Sequence, residues 1–194
     1  MNKIRNFFVE TYYFLTIYIW KFFKNIWKFR KELYDFRDYD FVFPLQMLYR
    51  SFYLQKIGLE KYSNEISETK DLKIKKISRV LTILGNIIED RYLDMAEKEL
   101  GYKYLFGKFS FEKDGEHFNI KNSITKEQEE KNSTLIRRGV EMELEEYDEL
   151  FKILKGQGHA EYEHFLNLKR KENKSSCDVF EEWFDGSGLK NWWY

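Results

Sequence analysis

Three histidines, His117, His159 and His164, are the side chains with an ordinary pKa suited to acid–base chemistry near neutral pH. Glu161 precedes His164 by three residues, the spacing with which di-iron bundles project a carboxylate and an imidazole from one helix. Such a site needs a second copy of the motif, and the sequence has none. His159 and His164 are five residues apart, which does not place them on one helical face. His117 falls opposite Glu112 in a predicted hairpin, where a surface pair is expected. We therefore predict no metal site.

Cys177 is the only cysteine, so the chain can form neither an internal disulfide nor a thiolate cluster. It lies in a polar segment without a nucleophile signature, and we expect a free surface thiol in a reducing compartment. The segment Asp185–Gly188 lacks the strand and the lysine of a phosphate-binding loop, which favours a turn that folds the tail back. The acidic run Glu141–Glu149 is typical of a solvated helix face. The sequence thus predicts no catalytic or cofactor-binding residue and favours a non-enzymatic role, with an enzyme of unrecognised type as the third alternative.

The N-terminal segment is unusually aromatic, because 19 of the 37 aromatic residues fall within the first 53 positions. Apolar residues recur there at alternating spacings of four and three, which predicts one long aromatic helix over 3–37 with a bundle seam. The seam comprises Phe8, Tyr12, Leu15, Ile19, Phe22, Ile26, Phe29, Leu33 and Phe36. A second row recurs every seven residues beside it, at Tyr13, Trp20, Trp27 and Tyr34. The remaining face carries Lys3, Glu10, Lys21, Lys24, Lys28 and Lys31.

Periodicity predicts four further helices. Pro44 suits the first turn of a helix that continues to about residue 62, and an apolar stripe predicts a helix over 70–100 with Gly101 as its C-cap. A capping box at Thr125–Gln128 begins a helix that ends near Gly156. Its predicted inward stripe comprises Ile136, Val140, Leu144, Tyr147, Phe151 and Leu154. A fifth helix is expected over about 160–171, followed by an aromatic C-terminal tail over 178–194.

Hydrophobic alternation changes to a period of two at about 106–121, which predicts a β-hairpin. With Asp114-Gly115 as its turn, Phe111 would face Phe118 and Phe109 would face Ile120. The predicted fold class is mainly α: a helical bundle of about four to five helices with one small β-hairpin insertion. The length favours a single helical domain over 1–194.

The charge is zero overall but polarised along the chain. Residues 1–85 carry 16 Lys/Arg against 9 Asp/Glu, and residues 86–194 carry 17 against 24. Glu10 interrupts the N-terminal apolar run, so neither a secretory signal nor a transmembrane span is expected. The aromatic helix therefore has three interpretations, which are a bundle core, a helix lying in an anionic membrane surface, and a nucleic-acid surface. The neutral charge argues against nucleic acid, and the regular seam favours the core over the membrane.

Three blocks of sequence, Trp27–Asp40, Ile87–Leu100 and Gly188–Trp193, resemble a family of uncharacterised tailed-bacteriophage proteins that end in a Trp-Trp motif. That family has no known activity, ligand or site. The resemblance implies a setting, the cytoplasm of an infected bacterium, and nothing about mechanism.

These observations together predict a non-enzymatic phage accessory or host-interaction protein that binds another macromolecule and needs no cofactor. The expected partner is a host or phage protein, or a second copy of the chain. The alternative is a peripheral membrane protein that uses the lysine-rich N-terminal helix. The predicted partner-binding residues are Tyr13, Trp20, Trp27, Tyr34, Trp192 and Trp193.

Overall fold

The computed structural model describes residue 12, residues 14–34, residue 36, residues 42–63, residue 65, and residues 67–114, 117–169 and 175–192. The described chain is mainly helical and groups into two compact units, Met1–Leu54 and Gln55–Tyr194. The single domain expected over 1–194 stays a prediction. The described residues contain eight α-helices, more than the four to five expected, because several predicted helices are divided.

In the first unit, the aromatic segment is not one continuous helix. Residues Phe14–Ile19 are wound as a π-helix, and two α-helices follow, α1 (Trp20–Lys28) and α2 (Arg30–Tyr34). Between them Phe29 leaves the helical region at φ −106° and ψ 12°. The single helix predicted over 3–37 is therefore wrong in its described part. Its positions 3–11, 13, 35 and 37 lie outside the described residues.

The next three helices are α3 (Val42–Tyr62), α4 (Ser67–Ile88) and α5 (Tyr92–Leu100). Pro44 lies in the first turn of α3, as predicted. The helix expected over 70–100 is divided, because Asp90 adopts a left-handed conformation at φ 48°. Gly101 ends α5 in the left-handed conformation predicted for its C-cap.

Two antiparallel strands follow, β1 (Phe109–Asp114) and β2 (His117–Asn122). Asp114 pairs with His117 and Phe111 pairs with Ile120. The predicted pairing of Phe111 with Phe118 is wrong, because the register is displaced by two residues. A displacement by two leaves every side chain on its original face, so the hydrophobic alternation of the sequence cannot distinguish the two registers.

The longest helix is α6 (Lys126–Lys155), which packs against α4 and α5. The predicted capping box between Thr125 and Gln128 is present. Gly139 lies against α5 so closely that an added Cβ would be 3.3 Å from the carbonyl oxygen of Tyr92. The buried face of α6 comprises Asn132, Leu135, Gly139, Glu146, Leu150 and Ile153. The inward stripe predicted for this helix is wrong, because Ile136, Val140, Leu144 and Phe151 are exposed.

The chain ends with α7 (His159–Lys169), α8 (Ser176–Trp183) and a 3-10 turn at Leu189–Trp192. The predicted turn at Asp185–Gly188 folds this end back onto the second unit. The Gly188 amide donates to the carbonyl of Ile153 at 2.8 Å, and a Cβ added to Gly186 would lie 2.4 Å from the backbone of Leu72. The turn therefore requires glycine for contact as well as for its positive φ.

The core of the second unit lies among α3, α4, α5, α6, α8 and the C-terminal turn. Its most buried apolar side chains are Leu59, Ile77, Val80, Ile83, Leu84, Ala96, Leu135, Val179 and Trp192. Trp192 is 0% exposed, and its indole N–H donates to the Gly186 carbonyl at 2.8 Å. The Gln55 side chain also donates to the Trp192 carbonyl at 2.6 Å. This tryptophan is consequently a core residue that fixes the C-terminal turn.

Candidate functional site

The second aromatic row is exposed wherever the structure describes it. Trp20 is 68% exposed, Trp27 67% and Tyr34 89%. Neither α1 nor α2 contains a buried residue. Tyr13 and Trp193 lie outside the described residues, and buried Trp192 is withdrawn as a surface residue. Three of the six predicted partner-binding residues therefore share one exposed segment, and we call Trp20, Trp27 and Tyr34 the aromatic row.

The seam beside the aromatic row is exposed as well. The exposed seam residues are Tyr12, Phe22, Ile26, Leu33 and Phe36. The preferred interpretation, a seam buried in a bundle core, is therefore wrong for these residues. Sequence periodicity identified an apolar face but could not tell whether other helices would cover it.

Trp27 is held in place from one side by a cation. The guanidinium carbon of Arg30 lies 4.3 Å from the centre of the Trp27 ring, and its NH1 donates to the Trp27 carbonyl at 2.7 Å. A guanidinium at this distance is attracted by the negative face of the indole. The contact restrains the ring while most of its surface stays accessible. The Trp27 side chain would therefore lose less conformational entropy when a partner binds.

A basic strip borders the aromatic row on α1. Lys21, Lys24 and Lys28 are all exposed. Their helical spacing places them on one side of α1, within about 100° of Trp20. Within the same unit, the Arg50 Nε donates to the Lys28 carbonyl at 3.1 Å and lies 3.9 Å from the Glu32 carboxylate. These contacts join α3 to α1 and α2 and so support the surface that carries the row.

A second polar cluster lies in the core of the other unit. Glu146 is only 7% exposed, although the sequence placed it on a solvated face. Its Oε2 accepts from Asn86 Nδ2 and from the Tyr92 hydroxyl, both at 3.0 Å. Its Oε1 pairs with Arg79 at 3.0 Å, and Arg79 also makes a two-pronged contact with Glu149. Each contact joins α6 to α4 or α5.

The charged groups of this cluster stabilise one another's charged forms. The Glu149 hydrogen bond and charge raise the pKa of Arg79, and Arg79 in turn lowers the pKa of Glu149. Burial, together with the hydrogen bond to Glu146, raises the pKa of the Tyr92 phenol. The carboxylate of Glu146 has three donors around it, so its burial is accounted for by contacts within the protein.

Glu161 and His164 are not arranged as in a di-iron bundle. His164 is exposed on α7. The carboxylate of Glu161 accepts from the Gly158 amide at 2.9 Å and so caps the start of that helix instead of pointing inward beside His164. The described part of the chain holds no group of three or more residues that could bind a metal ion.

Comparison with protein families, with curated proteins and with solved structures finds no match to this chain. Among the described residues, no helix has the length and apolar character needed to cross a membrane.

Proposed function

We propose that the protein acts without catalysis, by binding another macromolecule through the aromatic row of α1 and α2. The observation that carries the proposal is the exposure of Trp20 and Trp27 on a helix with no buried residue. Contiguous apolar patches of this kind are rare on monomeric soluble proteins and mark interaction surfaces. Tryptophan is also the residue type most enriched among the few that dominate binding energy at protein interfaces.

A protein partner is the first candidate. The resemblance to tailed-bacteriophage proteins supports a host or phage protein, met in the bacterial cytoplasm. Arg30 preorganises the Trp27 ring, which suits a partner that offers a shaped apolar pocket.

The test is a pull-down from bacterial lysate with wild type and with the double variant Trp20→Ala/Trp27→Ala. We expect the double variant to lose the captured protein. The matched control is Phe106→Ala, which truncates an aromatic residue that is even more exposed but lies in the other unit. Recovery of the same protein by the double variant, at wild-type helicity in circular dichroism, would contradict the proposal.

The basic strip favours a second candidate, an anionic membrane surface. Lysines at the edge of an exposed aromatic face are what a helix lying in a membrane interface needs, because rings reach the acyl boundary and ammonium groups reach the headgroups. Flotation with anionic and with neutral vesicles, at low and at high salt, tests this candidate.

Replacing Lys21, Lys24 and Lys28 with glutamine should abolish salt-sensitive flotation while leaving capture of a protein partner intact. If wild type fails to float with anionic vesicles at low salt, the membrane candidate is excluded and the protein partner stands alone.

A further inference from the structure

An apolar stripe lies along the exposed face of α6. Leu144 is 60% exposed and Phe151 67%, and Ile136 and Val140 are about half exposed. We call these four residues the outward stripe. They span 15 residue steps, or roughly 22 Å of helix. The opposite face of α6 is buried against α4 and α5, so the stripe is presented by an anchored helix.

Two pairs of opposite charges border this stripe along one edge. Arg137 and Asp148 are 11 positions apart, which places them within about 20° of each other around the helix. Glu130 and Lys155 are 25 positions apart and also lie within about 20°. All four are exposed, and none forms an ion pair in the described part of the chain.

The charges along this edge of α6 are complementary to those of a second α6 that runs in the opposite direction. An antiparallel copy of α6, related by a two-fold axis near Leu144, would set Ile136 against Phe151 of the second copy. The same axis would set Arg137 against Asp148 and Glu130 against Lys155, each twice. Parallel pairing would instead put this edge of the two helices on opposite sides of the interface, so these charges would not face one another.

From this juxtaposition we infer that α6 pairs with α6 of a second copy of the chain, antiparallel, with the two-fold axis between positions 142 and 144. The two-fold axis makes the contact isologous, so it closes at a dimer. A single helix pair of this length falls at the small end of specific interfaces, so the dimer should dissociate in the micromolar range. The inference involves the second unit and is independent of the proposed function.

Sedimentation velocity of the full chain, from low micromolar to several hundred micromolar, tests the dimer. It is run in the Trp20→Ala/Trp27→Ala background, so that the aromatic row cannot itself cause association. We expect the mass to rise with concentration from 23.9 kDa towards twice that value. A mass that stays monomeric throughout would overturn the inference.

Leu144→Glu places two carboxylates close together beside the two-fold axis and should weaken the dimer roughly a hundredfold or more. Leu168→Glu, at an equally exposed leucine on α7, is the matched control and should leave the dimer unchanged. Equal weakening by both variants would overturn the assignment of this face.

The charges allow a sharper experiment. Arg137→Asp makes both positions acidic and Asp148→Arg makes both basic, so each variant alone should dimerise less than wild type. Mixing the two variants should restore a dimer that forms at the same protein concentration as the wild-type dimer or at a lower one, because both cross-pairs become attractive. No gain on mixing would mean that the two edges do not meet.

Cysteine cross-linking in a Cys177→Ser background tests the direction. Leu144→Cys should cross-link to itself, because a residue beside the two-fold axis lies next to its own copy. Ile136→Cys should not cross-link to itself but should do so with Phe151→Cys. Efficient self-linking at position 136 would show a parallel pair and overturn the antiparallel arrangement.

Discussion

Replacing Glu146 with alanine removes the acceptor at the centre of the buried cluster between α4, α5 and α6. Asn86 and Tyr92 are both buried, and each donates to this carboxylate at 3.0 Å. Leaving such a donor without an acceptor costs roughly 1–3 kcal/mol. Arg79 keeps its two contacts with Glu149 and stays partly solvated, so the loss of its contact with Glu146 costs little free energy.

Two unsatisfied donors therefore set a gross cost of roughly 2–6 kcal/mol. Removing the carboxylate also removes the unfavourable desolvation of a buried charge, which offsets part of that cost. We expect Glu146→Ala to lower the free energy of unfolding by about 3 kcal/mol, a large fraction of the stability of an ordinary domain.

Glu149→Ala is the matched control, since it lies on the same helix, has the same partner Arg79 and undergoes the same change in helix propensity. Its side chain is 42% exposed, so the loss should be about 0.5 kcal/mol. The assay is urea unfolding followed by circular dichroism at neutral pH, with the slope of each transition compared. If the two variants differ by less than about 0.5 kcal/mol, burial of Glu146 does not have the energetic role assigned to it.

Four other substitutions test the fold, the first two of them in the same assay. The Cβ added by Gly58→Ala meets open space within α3, so this change should raise the free energy of unfolding by up to about 1 kcal/mol. The Cβ added by Gly139→Ala lies 3.3 Å from the Tyr92 carbonyl oxygen, so that change should give no such increase or should lower the free energy of unfolding. Gly186→Ala should displace the C-terminal turn and expose Trp192 to solvent, seen as a red shift of tryptophan emission. Tyr92→Phe should flatten the loss of stability between about pH 9 and pH 11.

The sign of the last prediction follows from the raised pKa of Tyr92. Stability from the neutral phenol is fully present below its ordinary pKa of 10.0 and is lost as the pH rises towards the folded value. Phenylalanine has no proton to lose.

For the C-terminal turn, Gly101→Ala is the control, because it has φ 77° but no neighbour within 4 Å of an added Cβ. An emission shift as large for Gly101→Ala as for Gly186→Ala would refute the contact argument.

Local signals in the sequence located the ends of helices well. The capping box at Thr125, the proline in the first turn of α3 and the left-handed cap at Gly101 each act within one turn of the chain. The break at Asp90 was missed, because an apolar stripe continues through it and aspartate adopts a positive φ only occasionally.

Burial was harder to predict, since it depends on which elements meet. The N-terminal seam has an ideal spacing for a bundle, yet Phe22 and Leu33 are exposed. Spacing specifies that a face is apolar, and the same face suits a helix, a partner or a membrane. The exposure of Trp20 and Trp27, which distinguishes a core position from a surface position, is a property of the folded chain alone.

The longest helix, α6, shows why periodicity chose the wrong face. Its two faces compete: one carries Ile136, Val140, Leu144 and Phe151, and the other mixes leucines with Gly139 and Glu146. Counting apolar residues favours the first face, but only the second allows the close approach of α5 at Gly139 and gives Glu146 its donors. The more polar face is therefore inside, and the more apolar face is left outside with complementary charges along its edge. A surface of that composition is costly to expose, and a second copy of the same helix would cover it.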